Sequence, residues 1–393
     1  MGSVISQITV VVAMNIRSLP HRLWMSLATL FAVAIVVAVL LAFMAMGNGF
    51  KATVQSSGSE SVAILMRESS QTELNSGLSG EQVSIIESAP GIAHNEDGPM
   101  LSAELYVIVD GIKKSSQTEV NLPFRGLDQR GIDIRQNIQL VEGRMFEPGK
   151  NEIVVGTSVL REFSGFELGK TVRLGNAEWN VVGIFDAGGS VFGSELWADA
   201  RTLQSQFNRG NSYQTIRVRL ETPGNIDSIK EYIEADPRLN LDIKTEQAYY
   251  SEQASQTSDF IFKLGWPLAI TMALGALAGA LNTMYTSVEQ RTKEIATLRA
   301  IGFNGFSAFC GTMVESIILA VVGGIIGTIA AYLFFDGISA STLGSSFTQI
   351  VFDFKIAADS FIKGIFLALG IGIIGGFFPA LRAARLPVVL AFV

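Results

Sequence analysis

From Arg22 to Lys51 the chain carries no charged residue, and 23–46 is almost wholly apolar. A helix rising 1.5 Å per residue crosses the hydrocarbon core of a bilayer in about 20 residues, so a run of this length fits one crossing. A secretory signal peptide is the rival reading. Its apolar core is only about 7–15 residues long, however, and Ala45-Met46-Gly47 makes a poor cleavage site. Three more apolar blocks gather near the other end of the chain. Residues 264–287 are uncharged, 316–335 lie between Glu315 and Asp336, and 364–381 lie between Lys363 and Arg382. The pattern predicts a membrane protein with a bundle of four transmembrane helices, at 23–46, 262–287, 306–335 and 364–381.

Orientation follows from where the cations sit. Segment 1–22 holds Arg17, His21 and Arg22, with no acid before Glu60; segment 288–305 holds Arg291, Lys293 and Arg299; segment 382–393 holds Arg382 and Arg385. Four spans place all three on one side, which the positive-inside bias makes the cytoplasm. The polar stretch 47–261 and the loop 336–363 are then extracytoplasmic. A net charge of −7 leaves no basic stripe for nucleic acid. The single cysteine, Cys310, permits no disulfide in the outer domain, and His21 and His94 alone give no basis for a zinc site.

The spans carry small residues four apart: Gly275 and Gly279, Gly323 and Gly327, Gly372 and Gly376, with Ala34, Ala38 and Ala42 in the first. Such seams let helix backbones approach closely in lipid, either within the chain or against a second copy. Asn282 reads as polar glue between helices, and Glu315 as a carboxylate near the cytoplasmic end of its span, within reach of water or headgroups. Ahead of the first span, Ile5, Ile8, Val12, Ile16 and Leu19 recur at helical spacing. They predict an amphipathic helix in the cytoplasmic interface, turning into the membrane near Pro20.

The outer segment alternates strand and helix signals. Residues 61–66 form a β-rich run, and Ser79-Gly80-Glu81-Gln82 opens a helix with a capping-box pattern that ends before Pro90. A mirror of this unit follows late: strand 215–220, helix 226–235, strand 241–245. The two halves predict an α+β domain on a ferredoxin-like base. A β-rich insert at about 121–205 carries strands at 152–155, 171–174 and 180–185. Within it, 164–171 nearly spells a phosphate-binding loop, but Ser164 stands where the first glycine belongs and a strand, not a helix, follows. It reads as a turn. Glu96, Asp97, Asp128 and Asp133 read as surface carboxylates, and nothing points to a catalytic constellation or to an enzyme.

Between the second and third spans runs Glu289-Gln-Arg-Thr-Lys-Glu-Ile-Ala-Thr-Leu-Arg-Ala-Ile-Gly302, helical in propensity, with Ile295, Leu298 and Ile301 as an apolar stripe and Gly302 as a stop. Such a helix can lie along the membrane surface or fit a groove on a cytoplasmic partner.

This segment resembles the coupling-helix signature of the FtsX/MacB-like ABC permease family, an Arg-Thr-x-Glu-Ile core running into an Arg-Ala-Ile-Gly ending. Residues 375–387, Gly-Gly-Phe-Phe-Pro-Ala-Leu-Arg-Ala-Ala-Arg-Leu-Pro, resemble that family's closing motif. Phe124-Arg-Gly-Leu, Gly143-Arg-Met-Phe, Asn151-Glu-Ile-Val-Val-Gly156 and Val182-Gly-Ile-Phe resemble phrases of its MacB-type extracytoplasmic domain. The resemblance implies a permease dimer, homodimeric or with a related permease, on a separate cytoplasmic ABC ATPase that holds the ATP and magnesium. It implies mechanotransmission, in which ATPase motion passes through Glu289, Arg291, Lys293, Glu294, Ile295, Leu298 and Arg299 to the spans and the outer domain. Partners would include membrane lipids and, for export, a periplasmic adaptor protein joined to an outer-membrane duct. Two other outcomes fit the same machine: extraction of lipoprotein or lipid from the outer leaflet, through a groove near 46–50 and 260–266, and regulation of an extracytoplasmic hydrolase without transport.

Overall fold

The computed structural model describes residues 4–18, 23–135, 137–344 and 348–387. The turn expected at Pro20, with Leu19, His21 and Arg22, and the tail beyond Pro387 lie outside the described residues. The helices, in chain order, are α1 (Val4–Ser18), α2 (Leu23–Gln55), α3 (Gly80–Ile86), α4 (Gln129–Ile134), α5 (Thr157–Glu162), α6 (Ala200–Gln206), α7 (Ile226–Ala235), α8 (Glu246–Gln290), α9 (Thr292–Ala300), α10 (Gly305–Phe335) and α11 (Ala358–Arg385). The chain divides into two compact units. One comprises residues 1–48, 259–338 and 354–393, the other 49–258 and 339–353.

The first is the membrane unit. Among the described residues, four helices are long and apolar enough to span a bilayer: α2, α8, α10 and α11. Each runs past the apolar stretch that announces it; α8 begins at Glu246 rather than near 262, because hydropathy marks only the part of a helix that lipid would surround. Val33, Val37 and Leu41 of α2 pack with Ala320 of α10 and with Ala368 and Ile371 of α11. Glycines permit this. A methyl group on Gly327 would come within 2.3 Å of the Ala34 carbonyl oxygen, one on Gly323 within 2.7 Å of the Leu30 carbonyl oxygen, and one on Gly372 within 2.7 Å of Ala320 Cβ. Gly376 sits against Ser316, whose hydroxyl donates to the Gly372 carbonyl at 2.8 Å. Of the two alternatives, Gly275 and Gly279 do not pack within the described residues, which place nothing within 4 Å of a methyl group at either. Asn282 is likewise exposed, and among the described residues its side chain bonds no other helix. The spacing of small residues marks a smooth helix face without saying which neighbour meets it.

Helix α1 packs on α10 by an unexpected face. Val11 and Asn15 are buried, whereas Ile5 and Ile16 are 74% and 41% exposed. Gln7, on the same face as Val11 and Asn15, accepts hydrogen bonds from Asn304 N at 3.0 Å and Ser307 Oγ at 3.3 Å. The outward apolar stripe remains available to lipid.

The second unit is an α+β domain around one eleven-stranded sheet. Its strands, in chain order, are β1 (Val62–Arg67), β2 (Leu101–Lys113), β3 (Glu119–Leu127), β4 (Gln139–Gly143), β5 (Glu152–Gly156), β6 (Phe163–Ser164), β7 (Thr171–Leu174), β8 (Ala177–Asp186), β9 (Leu196–Asp199), β10 (Thr215–Arg219) and β11 (Leu241–Thr245). The spatial order is β7-β8-β5-β9-β3-β2-β10-β1-β11, with β4 on β8 and β6 on β2. The run β2-β10-β1-β11, with α3 after β1 and α7 after β10, is the ferredoxin-like arrangement of two interleaved halves. The capping box expected at Ser79 is present: Gln82 N donates to Ser79 Oγ, and Ser79 N to Gln82 Oε1. The β-rich insert shares one sheet with the base, because the 13-residue β2 pairs with β10 at one end and with β3 along the rest. Residues 164–171 form a turn between β6 and β7, with Gly165 and Gly169 at φ +92° and +79°. Residues from the loop after the third span also belong to this unit. Strands β12 (Ser339–Leu343) and β13 (Gln349–Asp353) form a hairpin whose Val351 enters the apolar core with Leu105, Phe124 and Trp179. Phe50, expected beside a groove, is instead buried edge-on against Phe352 at 5.5 Å.

Seven buried charged side chains form one network in this unit. Arg125 on β3 bonds Glu73, Glu104 and Glu195 at 2.7–2.8 Å. Arg135 bonds Glu104 at 2.6 Å, and Arg217 on β10 bonds Glu73 at 2.7 Å, Glu104 at 3.1 Å and Glu246, the first residue of α8. Burial alone would raise the Glu73 carboxyl, but Arg125 and Arg217 overcome it and hold its pKa at about 2. Glu104 is driven lower still, against its own burial, by Arg135, Arg217 and Arg125. Glu246 goes the other way: burial raises its pKa more than Arg217 lowers it. Glu246, paired among the described residues with Arg217 alone, therefore holds its proton more tightly than Glu73 and Glu104, each of which meets two or three guanidiniums.

Candidate coupling site

Helix α8 ends at Gln290 and α9 starts at Thr292; Arg291, at φ −101° and ψ 10°, is the break between them. Gly302, at φ +104°, ends the segment in a conformation that favours glycine, and the Asn304 side chain caps α10 by accepting from Phe306 N at 3.1 Å. A nine-residue helix is thus set between two spans by a tight turn at each end.

Its two faces differ. Ile295 is 6% exposed and packs with Val288, Ala308 and Ala383. Arg291 is 3% exposed, its guanidinium divided among Glu294 Oε2 at 3.1 Å, Glu315 Oε2 at 3.3 Å and Asn15 Oδ1. Ser287 Oγ also donates to Glu315, at 3.4 Å. Arg299 is half-buried and donates to the Leu386 carbonyl, and Leu298 is half-buried beside it. Glu289, Lys293, Glu294 and Ile301 form the exposed face, Ile301 at 70%.

Two expectations change accordingly. Arg291 and Ile295 do not offer themselves to a partner, because both are directed into the membrane unit. Glu315 does not reach water, because the Arg291 cation meets it at 4% exposure. Sequence reasoning missed Asn15 and Gln7, and it set Ile301 in one stripe with the buried Ile295 although Ile301 is exposed. A lone acid in one apolar span, opposite an arginine at the end of the span before it, was the available signal.

Family models match the chain in two places: MacB-like periplasmic core domain over residues 26–236, and FtsX-like permease C-terminal over 268–388. The macrolide export ATP-binding/permease protein MacB of Neisseria gonorrhoeae is 24% identical over 398 residues, covering 95% of this chain and 59% of its own length. The pyoverdine export ATP-binding/permease protein PvdT of Pseudomonas entomophila is 25% identical over 388 residues, covering 92% and 56%. The chain therefore spans about three-fifths of the length of these curated relatives. Among solved structures, the periplasmic region of MacB from Actinobacillus actinomycetemcomitans aligns at 13% identity and TM-score 0.37, covering 52% of this chain and 95% of that one. The extracellular domain of the noncanonic ABC-type transporter YknZ from Gram-positive bacteria aligns at 16% and 0.35, covering 47% and 100%.

Proposed function

Because the chain belongs to the FtsX/MacB-like family of ABC transporter permeases, we propose that it is the membrane subunit of a mechanotransmission exporter, worked by an ATPase on a separate cytoplasmic polypeptide. In this reading the termini and α9 face the cytoplasm, as the basic residues Arg17, Arg291, Lys293, Arg299, Arg382 and Arg385 favour. ATP and magnesium belong to the partner, whose closing motion moves α9 and the spans, and through them the extracytoplasmic domain. The permease works as a dimer, with the open small-residue face at Gly275 and Gly279 as a place where a second copy can approach. Export is the direction because the relatives' names are those of macrolide and pyoverdine exporters. A periplasmic adaptor and an outer-membrane duct complete the path.

The observation that carries the reading is the two-faced α9. A helix pinned on one side by Arg291 and Ile295, and presenting Glu289, Lys293, Glu294 and Ile301 on the other, is built to be pushed from outside the chain. The test is purification of the tagged chain from its native membrane, followed by identification of what accompanies it. An ABC ATPase should copurify, and Lys293→Glu with Glu294→Lys should weaken that complex about tenfold by reversing both exposed charges. Leu298→Asp should abolish stimulation of ATP hydrolysis while membrane insertion persists. Recovery of the chain with no ATPase, or a complex indifferent to all three changes, refutes the reading.

A further inference from the structure

The buried guanidinium of Arg291 touches three segments and stands at the end of a fourth. It closes α8, bonds Glu294 in the first turn of α9, Glu315 in α10 and Asn15 in α1. Packing does not need a charge to join α8, α9 and α10, since Val288, Ile295 and Ala308 already bring those three together. The gap beside it, lined by Val11, Leu298, Phe303 and Thr312, amounts to about 10 Å³, too little for more than one water. In so dry a place an ion pair is felt at close to full strength and is worst when misaligned. Apolar contacts slide, whereas a planar fork whose Nε, Nη1 and Nη2 donate to three different acceptors admits one arrangement.

We infer that Arg291 is the positioning residue of the coupling apparatus, with Glu315 its counter-charge and Asn15 its third anchor: together they make α1, α9 and α10 move as one body when α9 is displaced. This rests on the reading of α9 as the helix an ATPase pushes. It goes beyond that reading because it assigns the transmission to buried groups that no partner touches, and it makes α1 part of the lever rather than a membrane float. Gln7 strengthens the same link, since it bonds the backbone and side chain at the start of α10.

Affinity and transmission separate in the test. In the reconstituted complex, the pair Arg291→Met with Glu315→Leu removes both charges and keeps comparable volume. It should leave ATPase copurification and affinity within about twofold of wild type, yet cut the stimulation of ATP hydrolysis at least tenfold. Arg291→Lys keeps the charge but cannot hold three acceptors, and should lose most of the stimulation too. Asn15→Ala, which leaves the ion pair intact, should lose part of it. A merely structural role would lower the yield of complex and leave the stimulation per complex unchanged. Full stimulation per complex in the double variant overturns the inference. If that variant fails to accumulate, full stimulation in both Arg291→Lys and Asn15→Ala does the same. Failure of the underlying reading looks different: the wild-type chain would bind no ATPase, or the exposed Lys293→Glu reversal would leave its affinity unchanged.

Discussion

Arg125 holds both carboxylate oxygens of Glu73, Nη2 to Oε2 at 2.8 Å and Nη1 to Oε1 at 3.1 Å, with both side chains at 5% exposure or less. This two-pronged grip joins strand β3 to the turn Glu73–Asn75, and Arg217 and Glu104 tie the same pair to β10 and β2. A network that reaches so many strands fixes their register, and its weakness is that no member can lose its partner without leaving a bare charge in the core.

Removing one cation therefore has a large cost. Arg125→Met should destabilise the domain by about 3–5 kcal/mol, because it strands Glu73, Glu104 and Glu195 without their shared partner. Denaturant unfolding of the detergent-solubilised protein, followed by the buried Trp179 and Trp197, measures it. A loss under 1 kcal/mol would contradict the account.

The network also fixes an acid limit. Glu73 has its pKa lowered in the fold from the ordinary 4.5 to about 2, so its contribution is present above about pH 4.5 and lost as pH falls towards 2. Glu104, lowered further, acts in the same direction. Unfolding midpoints should decline through this window, and Glu104→Gln should flatten the decline while lowering stability at pH 7. A wild-type midpoint constant from pH 5 to pH 3 would contradict the assignment.

Glu246 obeys the opposite sign. Its folded pKa is raised, so it stabilises most when protonated, below its unfolded pKa, and that contribution is lost as pH rises through the folded value. Glu246→Gln keeps a neutral polar group in place. It should be neutral or mildly stabilising at pH 7, in contrast to Glu104→Gln, and the comparison of the two variants' melting points decides it.

These charges also explain what was legible in the sequence and what was not. Strands Thr171–Leu174 and Leu241–Thr245 and helix Ile226–Ala235 stand where local signals put them, because turn residues bound each one. Strand β2 escaped notice: Ser102 and Glu104 are buried within it, so the alternation of apolar and polar residues no longer reports which side faces the core. The same holds at the coupling site. Lys293 and Glu294 declare themselves as exposed helix charges, but two of the three partners of Arg291 lie 24 and 276 residues away, and no local pattern connects them. The Arg144–Glu152 pair, at 2.6 Å, shows the intermediate case, since each residue sits in a recognisable phrase whose partnership only the fold reveals.

The two kinds of glycine in the spans should respond differently to a methyl group. Gly327→Ala would press against the Ala34 carbonyl oxygen at 2.3 Å and force α2 and α10 apart, lowering the melting temperature of the purified chain. Gly275→Ala meets nothing within 4 Å and should leave that temperature unchanged. Thermal shift of the monomer fraction isolated by size exclusion separates them, and equal destabilisation of the monomer by both would contradict the open face at Gly275.

The hairpin β12–β13 gives the last expectation. Phe352 is 2% exposed and meets Phe50 edge-on, and Val351 N donates to Ser194 Oγ at 2.9 Å. Deleting the ring leaves a cavity and removes the aromatic pair, so Phe352→Ala should cost about 3–5 kcal/mol if the hairpin unfolds only with the domain. If the hairpin can open by itself, the variant instead loses amide-exchange protection across 349–353 while the strands around Trp179 keep theirs. Local loss is the expected pattern, because the hairpin is joined to the sheet by side chains and not by strand pairing. Protection unchanged at 349–353 in Phe352→Ala would mean that Phe352 does not hold the hairpin in place.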